Sequence, residues 1–181
     1  MAIKDGDDMN ETMTEFEKEM LSILETHVEA EVQGNLDLTM KTMTPTPHLL
    51  NIANMMGGDD YDGVKKFYQD HLVGKFFPPD VKFNRISLTI GKAQIVEELV
   101  ITFTHTQMVE WLLPKIEPTN KKLKIALVVI AGIEDKKITH EHIYWDQASV
   151  LVQLGLLNPE GLPVVGPQSA EKLMSIASIN N

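Results

Sequence analysis

A chain of 181 residues, 43% hydrophobic and 23% charged, is long enough for one well-buried core and short for two. A net charge of −10 argues against a duplex-binding surface, which needs clustered Lys and Arg, and the absence of cysteine excludes disulfides, zinc–cysteine sites and thiol chemistry. No apolar run approaches the roughly 20 residues that span a bilayer, and "MAIKDGDDMNETMTEFEKEM" has neither the basic nor the apolar region of a signal peptide. The expectation is a cytoplasmic protein with no nucleic-acid and no membrane partner.

Residues 1–13 are acidic and polar and read as a flexible tail, with one domain over 14–181. Thr14 and Glu17 have the spacing of a capping box. Phe16, Met20, Ile23, Leu24, Val28 and Val32 follow at helical spacing, with Glu and Lys on the other face, and Gly34 is placed to end the helix. Asp37 is the candidate cap of a short second helix, "LTMKTM", which Pro45 and Pro47 terminate. "HLLNIANMM" reads as a short strand. Asp60 then caps a third helix with Val64, Phe67, Tyr68 and His71 on one face, stopped by "KFFPPD".

From there the texture is strands: "VKFNRISLTI", "QIVEELVITFTHTQMVEW", "KLKIALVVIAGI" and "KITHEHIYWD". Short turns at "GKA" and "EDKK" make them antiparallel neighbours. A short helix begins after Asp146, and "SAEKLMSIAS" reads as a terminal helix. Helices first and an antiparallel meander afterwards give an α+β fold, with the helices on one face of the sheet.

"FTHTQMVEWLLPKIEPTNKKL" and "HEHIYWDQASVLVQLGLL", with "PHLLNI" and "FYQDHL" before them, resemble the SnoaL-like branch of the nuclear-transport-factor-like (cystatin-like) superfamily. One departure is Asn120, where many relatives place Gly. The resemblance implies a curved antiparallel sheet wrapped around the N-terminal helices, forming a cone with an internal pocket. It also implies chemistry without metal or organic cofactor. Polyketide cyclases, ketosteroid isomerase, limonene epoxide hydrolase and scytalone dehydratase are relatives of this kind; others bind ligands or proteins without chemistry. The expected function is a cofactor-independent cyclase, isomerase, dehydratase or hydrolase acting on a small hydrophobic carbonyl or cyclic compound. The alternative is a non-catalytic ligand-binding or dimeric interaction module of the same fold.

Strand alternation decides which side chains reach such a pocket. Glu97, Leu99, Ile101, Phe103 and His105 form the apolar row of their strand and face the core. In the last strand both rows are mixed; comparison with epoxide-hydrolase relatives puts Glu141, Ile143 and Trp145 inside. His140, His142 and Tyr144 are then left on an outer face, where such domains commonly form homodimers. His105 and Glu141 are the candidate catalytic pair, an imidazole tuned by a carboxylate. The competing reading has His105 bound to a backbone carbonyl and Glu141 to a lysine.

Tyr68, Phe103, Trp111 and Trp145 are the candidate ligand-binding residues, with core packing as the competing reading. Asp146 reads more simply as a helix cap than as a catalytic group. His140 and His142 share a strand face at a spacing that suits a metal, but no further ligands stand near in sequence, and no metal site is expected.

Overall fold

The computed structural model describes residues 13–178, so the expected tail lies almost wholly outside the described residues. Five helices and six strands form, the short strand over Met56–Gly58 being one more than expected. They are α1 (Glu15–Val32), α2 (Leu36–Lys41), β1 (Met43–Asn51), β2 (Met56–Gly58), α3 (Tyr61–His71), β3 (Lys82–Ile90), β4 (Gln94–Thr104), β5 (Lys122–Glu134), β6 (Lys137–Trp145), α4 (Gln147–Leu154) and α5 (Gln168–Ala177). The strands form one curved, unclosed sheet in the order β2-β1-β6-β5-β4-β3. All pairs are antiparallel except β1 and β6, which run parallel.

Local chemistry sets most of the boundaries. At α1 the backbone N–H of Thr14 donates to Glu17 Oε2 at 2.7 Å, and that of Glu17 donates to Thr14 Oγ1 at 3.3 Å. This reciprocal bonding satisfies two donors that the first turn leaves open. Asp60 caps α3 through the Gly63 N–H at 2.8 Å. Asp146 caps α4 through the Ser149 N–H at 3.1 Å. Asp146→Ala is expected to cost about 1 kcal/mol in a thermal melt; an unchanged melting temperature would deny the cap.

Four expectations are corrected. Asn35, not Asp37, caps α2, its Oδ1 accepting from the Leu38 N–H at 3.1 Å. β1 begins before the prolines rather than after them. Pro45 and Pro47 fall between Met43 and His48, where the ladder to β6 is irregular, so neither removes a needed donor. β4 stops at Thr104, and residues 105–121 form an irregular connection. α5 packs on the outer face of the sheet instead of joining the other helices; Lys124 there meets Glu171 at 3.1 Å, and Leu173 faces Glu98, Ala126, Val128 and Tyr144.

On the inner face, Leu99, Ile101, Phe103, Leu123, Ile125 and Leu127 of the sheet pack with Leu24, Phe67, Leu112 and Leu113 in one apolar core. The turn between β5 and β6 is a two-residue hairpin with Asp135 and Lys136 at φ +48° and +61°. Such mirror-image turns match the twist of the strands they join. Asn120 sits at φ +57°. That left-handed conformation explains why a glycine suits the position and why asparagine, among other residues, tolerates it.

Candidate active site

α1 brings two titratable side chains to its buried face. His27 and Glu31, one turn apart, continue the line of Met20 and Leu24, and all four are buried. α3 contributes Tyr68 and β6 contributes Glu141, also buried. The four side chains converge on one point. His27 Nε2 lies 3.2 Å from the Tyr68 hydroxyl, 3.3 Å from Glu141 Oε2 and 3.4 Å from Glu31 Oε1. The Tyr68 O–H donates to Glu141 Oε2 at 3.0 Å.

The far side of the imidazole is held by threonines. The Thr42 hydroxyl donates to the Thr39 carbonyl at 2.6 Å. Its one proton is thereby committed, and Thr42 Oγ1 accepts from His27 Nδ1–H at 2.6 Å. The exchangeable position of the ring is therefore Nε2, which faces both carboxylates.

Burial alone would lower the basicity of His27, but the Glu141 and Glu31 carboxylates outweigh it and push its pKa up to about 10. Burial works against the Glu141 charge as well, yet the His27 imidazolium and the Tyr68 hydroxyl hold its carboxyl below the usual carboxylate range. Glu31 goes the other way, raised by burial and by the negative charge of Glu141. Burial and both carboxylates also keep the Tyr68 phenol protonated. The favoured arrangement is a His27–Glu141 ion pair, with Glu31 beside it biased towards its neutral form. A set with no net charge is the form a dry interior tolerates.

This cluster borders a cavity of about 80 Å³, several times the roughly 10–15 Å³ that one water needs. Glu31 and Glu141 line it, with Asn51 and Glu97 as the other polar groups. Phe67, Phe76, Phe77, Phe83 and Trp111 supply aromatic walls. Glu97, on the inward row as the alternation requires, is paired with Arg85 through its Nε. His27, Glu31 and Glu141 are also the one group among the described residues whose ligand atoms, within 4.8 Å of one another, could hold a metal ion.

No family model and no curated protein matches the sequence. Solved structures do match the fold. A proposed SnoaL-like polyketide cyclase from Jannaschia sp. CCS1 superposes with a TM-score of 0.63 at 13% identity, over 84% of this chain and 100% of that one. A proposed polyketide cyclase from Acidithiobacillus ferrooxidans gives 0.58 at 22% identity, over 80% and 97%. A protein of ketosteroid isomerase-like fold from Catenulispora acidiphila, solved with trimethylamine, gives 0.56 at 12% identity, over 75% and 93%. The chain has the SnoaL-like fold.

Within that SnoaL-like frame, the residues singled out from sequence separate into groups. Glu141 lines the cavity. His105 does not meet it. Glu141 stands in line with Ala131 and Ile95, ten positions along β4 from His105, which is roughly 30 Å of strand. His105 instead ties down the irregular connection: its Nδ1 lies 3.2 Å from the Thr119 hydroxyl and accepts from the Thr119 N–H at 3.3 Å. Burial holds its pKa below the ordinary value.

Trp111 lines the cavity with its indole N–H fixed to the Phe76 carbonyl at 2.9 Å. Phe103 and Trp145 stand behind the wall, edge-on to Phe77 and Trp111 at 5.4 and 5.7 Å between ring centres. Tyr68 is bonded into the cluster. His140 and His142 lie on the outer row as expected, joined there by His48 of β1, whose Nε2 is 3.0 Å from that of His142.

His27 and Glu31 were missed by sequence reasoning. Their signal was a histidine and a glutamate four apart, inside the stripe set by Met20 and Leu24. The stripe drawn from apolar residues alone ran through Phe16 and Val32, which are 50% and 38% exposed.

The cluster fixes the sign of a pH dependence. An exposed histidine titrates near 6.5 and His27 at about 10, so the folded chain keeps a proton that the unfolded chain gives up. That stabilisation is complete below pH 6.5 and is lost as pH climbs towards 10. Glu141, with a lowered folded pKa, contributes above its ordinary value of 4.5 and loses its contribution as pH falls through the folded value. Denaturation followed from pH 7 to 9.5 should therefore show stability falling by on the order of 1 kcal/mol per pH unit. A flat profile would contradict the His27–Glu141 pair.

Proposed function

We propose that this cavity is the active site of a cofactor-independent enzyme of general acid–base type. Its substrate class is a small hydrophobic carbonyl or cyclic compound, and the reaction an isomerisation, cyclisation, dehydration or hydrolysis. One observation carries the reading: a carboxyl group whose pKa is raised lines an apolar, aromatic-walled cavity beside a fixed ion pair.

Glu31 is the group that exchanges a proton with the substrate, because its raised pKa brings it nearer neutrality than an ordinary carboxyl. Glu141 is too weak a base for that task; its charge keeps His27 protonated and biases Glu31 towards the neutral acid. His27 and Tyr68 steady the negative charge that appears when Glu31 gives up its proton. The aromatic walls keep water away from the reacting atoms. The likeness to polyketide cyclases supports the fold of such a site and leaves the reaction to experiment.

The direct assay needs no knowledge of the natural substrate. Deuterium uptake next to the carbonyl of a panel of small cyclic ketones, followed in D₂O, reports the cycle in which ionised Glu31 takes the proton from that carbon and, after exchange with solvent, returns a deuteron to it. The chain should accelerate uptake over buffer for at least one ketone. No acceleration across the panel would point instead to a ligand-binding protein. In keeping with the outer-face position of Tyr144, the reading includes a homodimer through that face and a cytoplasmic location. Among the described residues no helix is long and apolar enough to cross a membrane. A monomer in light scattering at micromolar concentration would remove the dimer.

A further inference from the structure

Asn51 closes β1 on the inner face of the sheet. Its side-chain Nδ2 donates to the Met56 carbonyl at 3.2 Å. This bond fixes which way round the amide sits and turns Oδ1 away from Met56. Asn51 is 1% exposed and lines the cavity, yet its Oδ1 is buried with no hydrogen-bond partner among the described residues. An unpaired buried carbonyl oxygen is costly, and folded chains retain few of them.

The register places this oxygen. Asn51 pairs with Ile143, and Leu49 with Glu141, so Asn51 stands two residues along the neighbouring strand from Glu141 on the same cavity wall. The other polar groups of the lining are committed or proton-bearing. Glu141 accepts from Tyr68 and pairs with His27, Glu97 pairs with Arg85, and Glu31 is pushed towards its neutral form. Asn51 Oδ1 is an acceptor awaiting a donor.

We infer that Asn51 is a specificity-determining residue of this cavity: the ligand is a small, largely hydrophobic molecule with a hydroxyl or N–H group that donates to Asn51 Oδ1. Its reacting carbonyl then lies towards Glu31, a few bonds from the donor. The placement of the reacting group rests on the catalytic reading above; the binding preference does not, and is measured without turnover.

Two probes separate the donor from the rest of the molecule. 3-Hydroxycyclohexanone and 3-methylcyclohexanone differ by a hydroxyl in place of a methyl. In NMR titrations the native chain should bind the hydroxy compound about ten-fold more tightly, since the methyl compound leaves the oxygen unpaired. Asn51→Val should lose or reverse that preference, the site having become apolar. Should the valine variant fail to fold, Asn51→Leu, closer in volume, takes its place.

A native chain that binds neither probe or favours the methyl compound overturns the inference, as would be seen if water occupied the oxygen. A variant that keeps the native preference overturns it too. Loss of the preference in Asn51→Val, together with full turnover in Glu31→Gln, would uphold Asn51 and sink the catalytic assignment of Glu31. The two failures are thus distinguishable.

Discussion

Glu31→Gln is expected to lower proton-transfer turnover by about 10²–10⁴-fold, the range that one positioned acid or base supplies. The same substitution should leave stability within about 0.5 kcal/mol of the native chain. The reason lies in the charge state. Burial and the Glu141 carboxylate raise the Glu31 pKa, so the native group approaches the neutral amide in both shape and charge. Glutamine removes the transferable proton and little else. Deuterium uptake and a urea titration on one preparation check both halves. Full activity in the variant would remove Glu31 from the chemistry. A large loss of stability would show that the carboxylate, rather than the acid, is the native form.

The second expectation concerns the pair of carboxylates. Glu141→Gln alone leaves His27 with Glu31 at 3.4 Å. Glu31 then ionises and takes over as counter-charge, so the single variant is only mildly destabilised. In the double variant Glu31→Gln/Glu141→Gln that rescue is gone. His27 must either hold an uncompensated buried charge or give up its proton. Breaking a buried pair in this way costs about 3–5 kcal/mol, well beyond the sum of the single changes. A double-mutant cycle by chemical denaturation measures the excess directly. Additive losses would mean that the two carboxylates do not share the imidazole.

Much of the fold was legible because its signals are local. Thr14 with Glu17, Asp60 and Asp146 each announce a helix start within three residues, and all three caps formed. Alternation along β4 likewise put Glu97 inward; in β6, where both rows are mixed, it was the likeness to epoxide-hydrolase relatives that put Glu141 there. Parity, however, says which face a side chain takes and nothing about how far along the strand it sits. His105 is inward and buried, as expected, but ten positions from the rung that carries Glu141.

The cluster itself is non-local. His27 meets Glu141 across 114 residues of chain, and no short window of sequence holds both. Glu31 looked like one more solvent-facing glutamate, because the buried stripe had been drawn through apolar residues alone. A helix face that carries a histidine and an acid in the line of buried methionine and leucine has a partner elsewhere in the fold. Only the tertiary structure supplies it.

The protonation state of His27 joins the ion pair, the raised pKa of Glu31 and the proposed chemistry, and it is directly observable. The ¹⁵N signals of the imidazole rings, followed from pH 5 to 9, would measure it. The expected result is one histidine with both ring nitrogens protonated throughout, assigned to His27 by its loss in His27→Gln, consistent with a pKa of about 10. A His27 ring that is neutral at pH 7 would contradict the ion pair and, with it, the acid role given to Glu31.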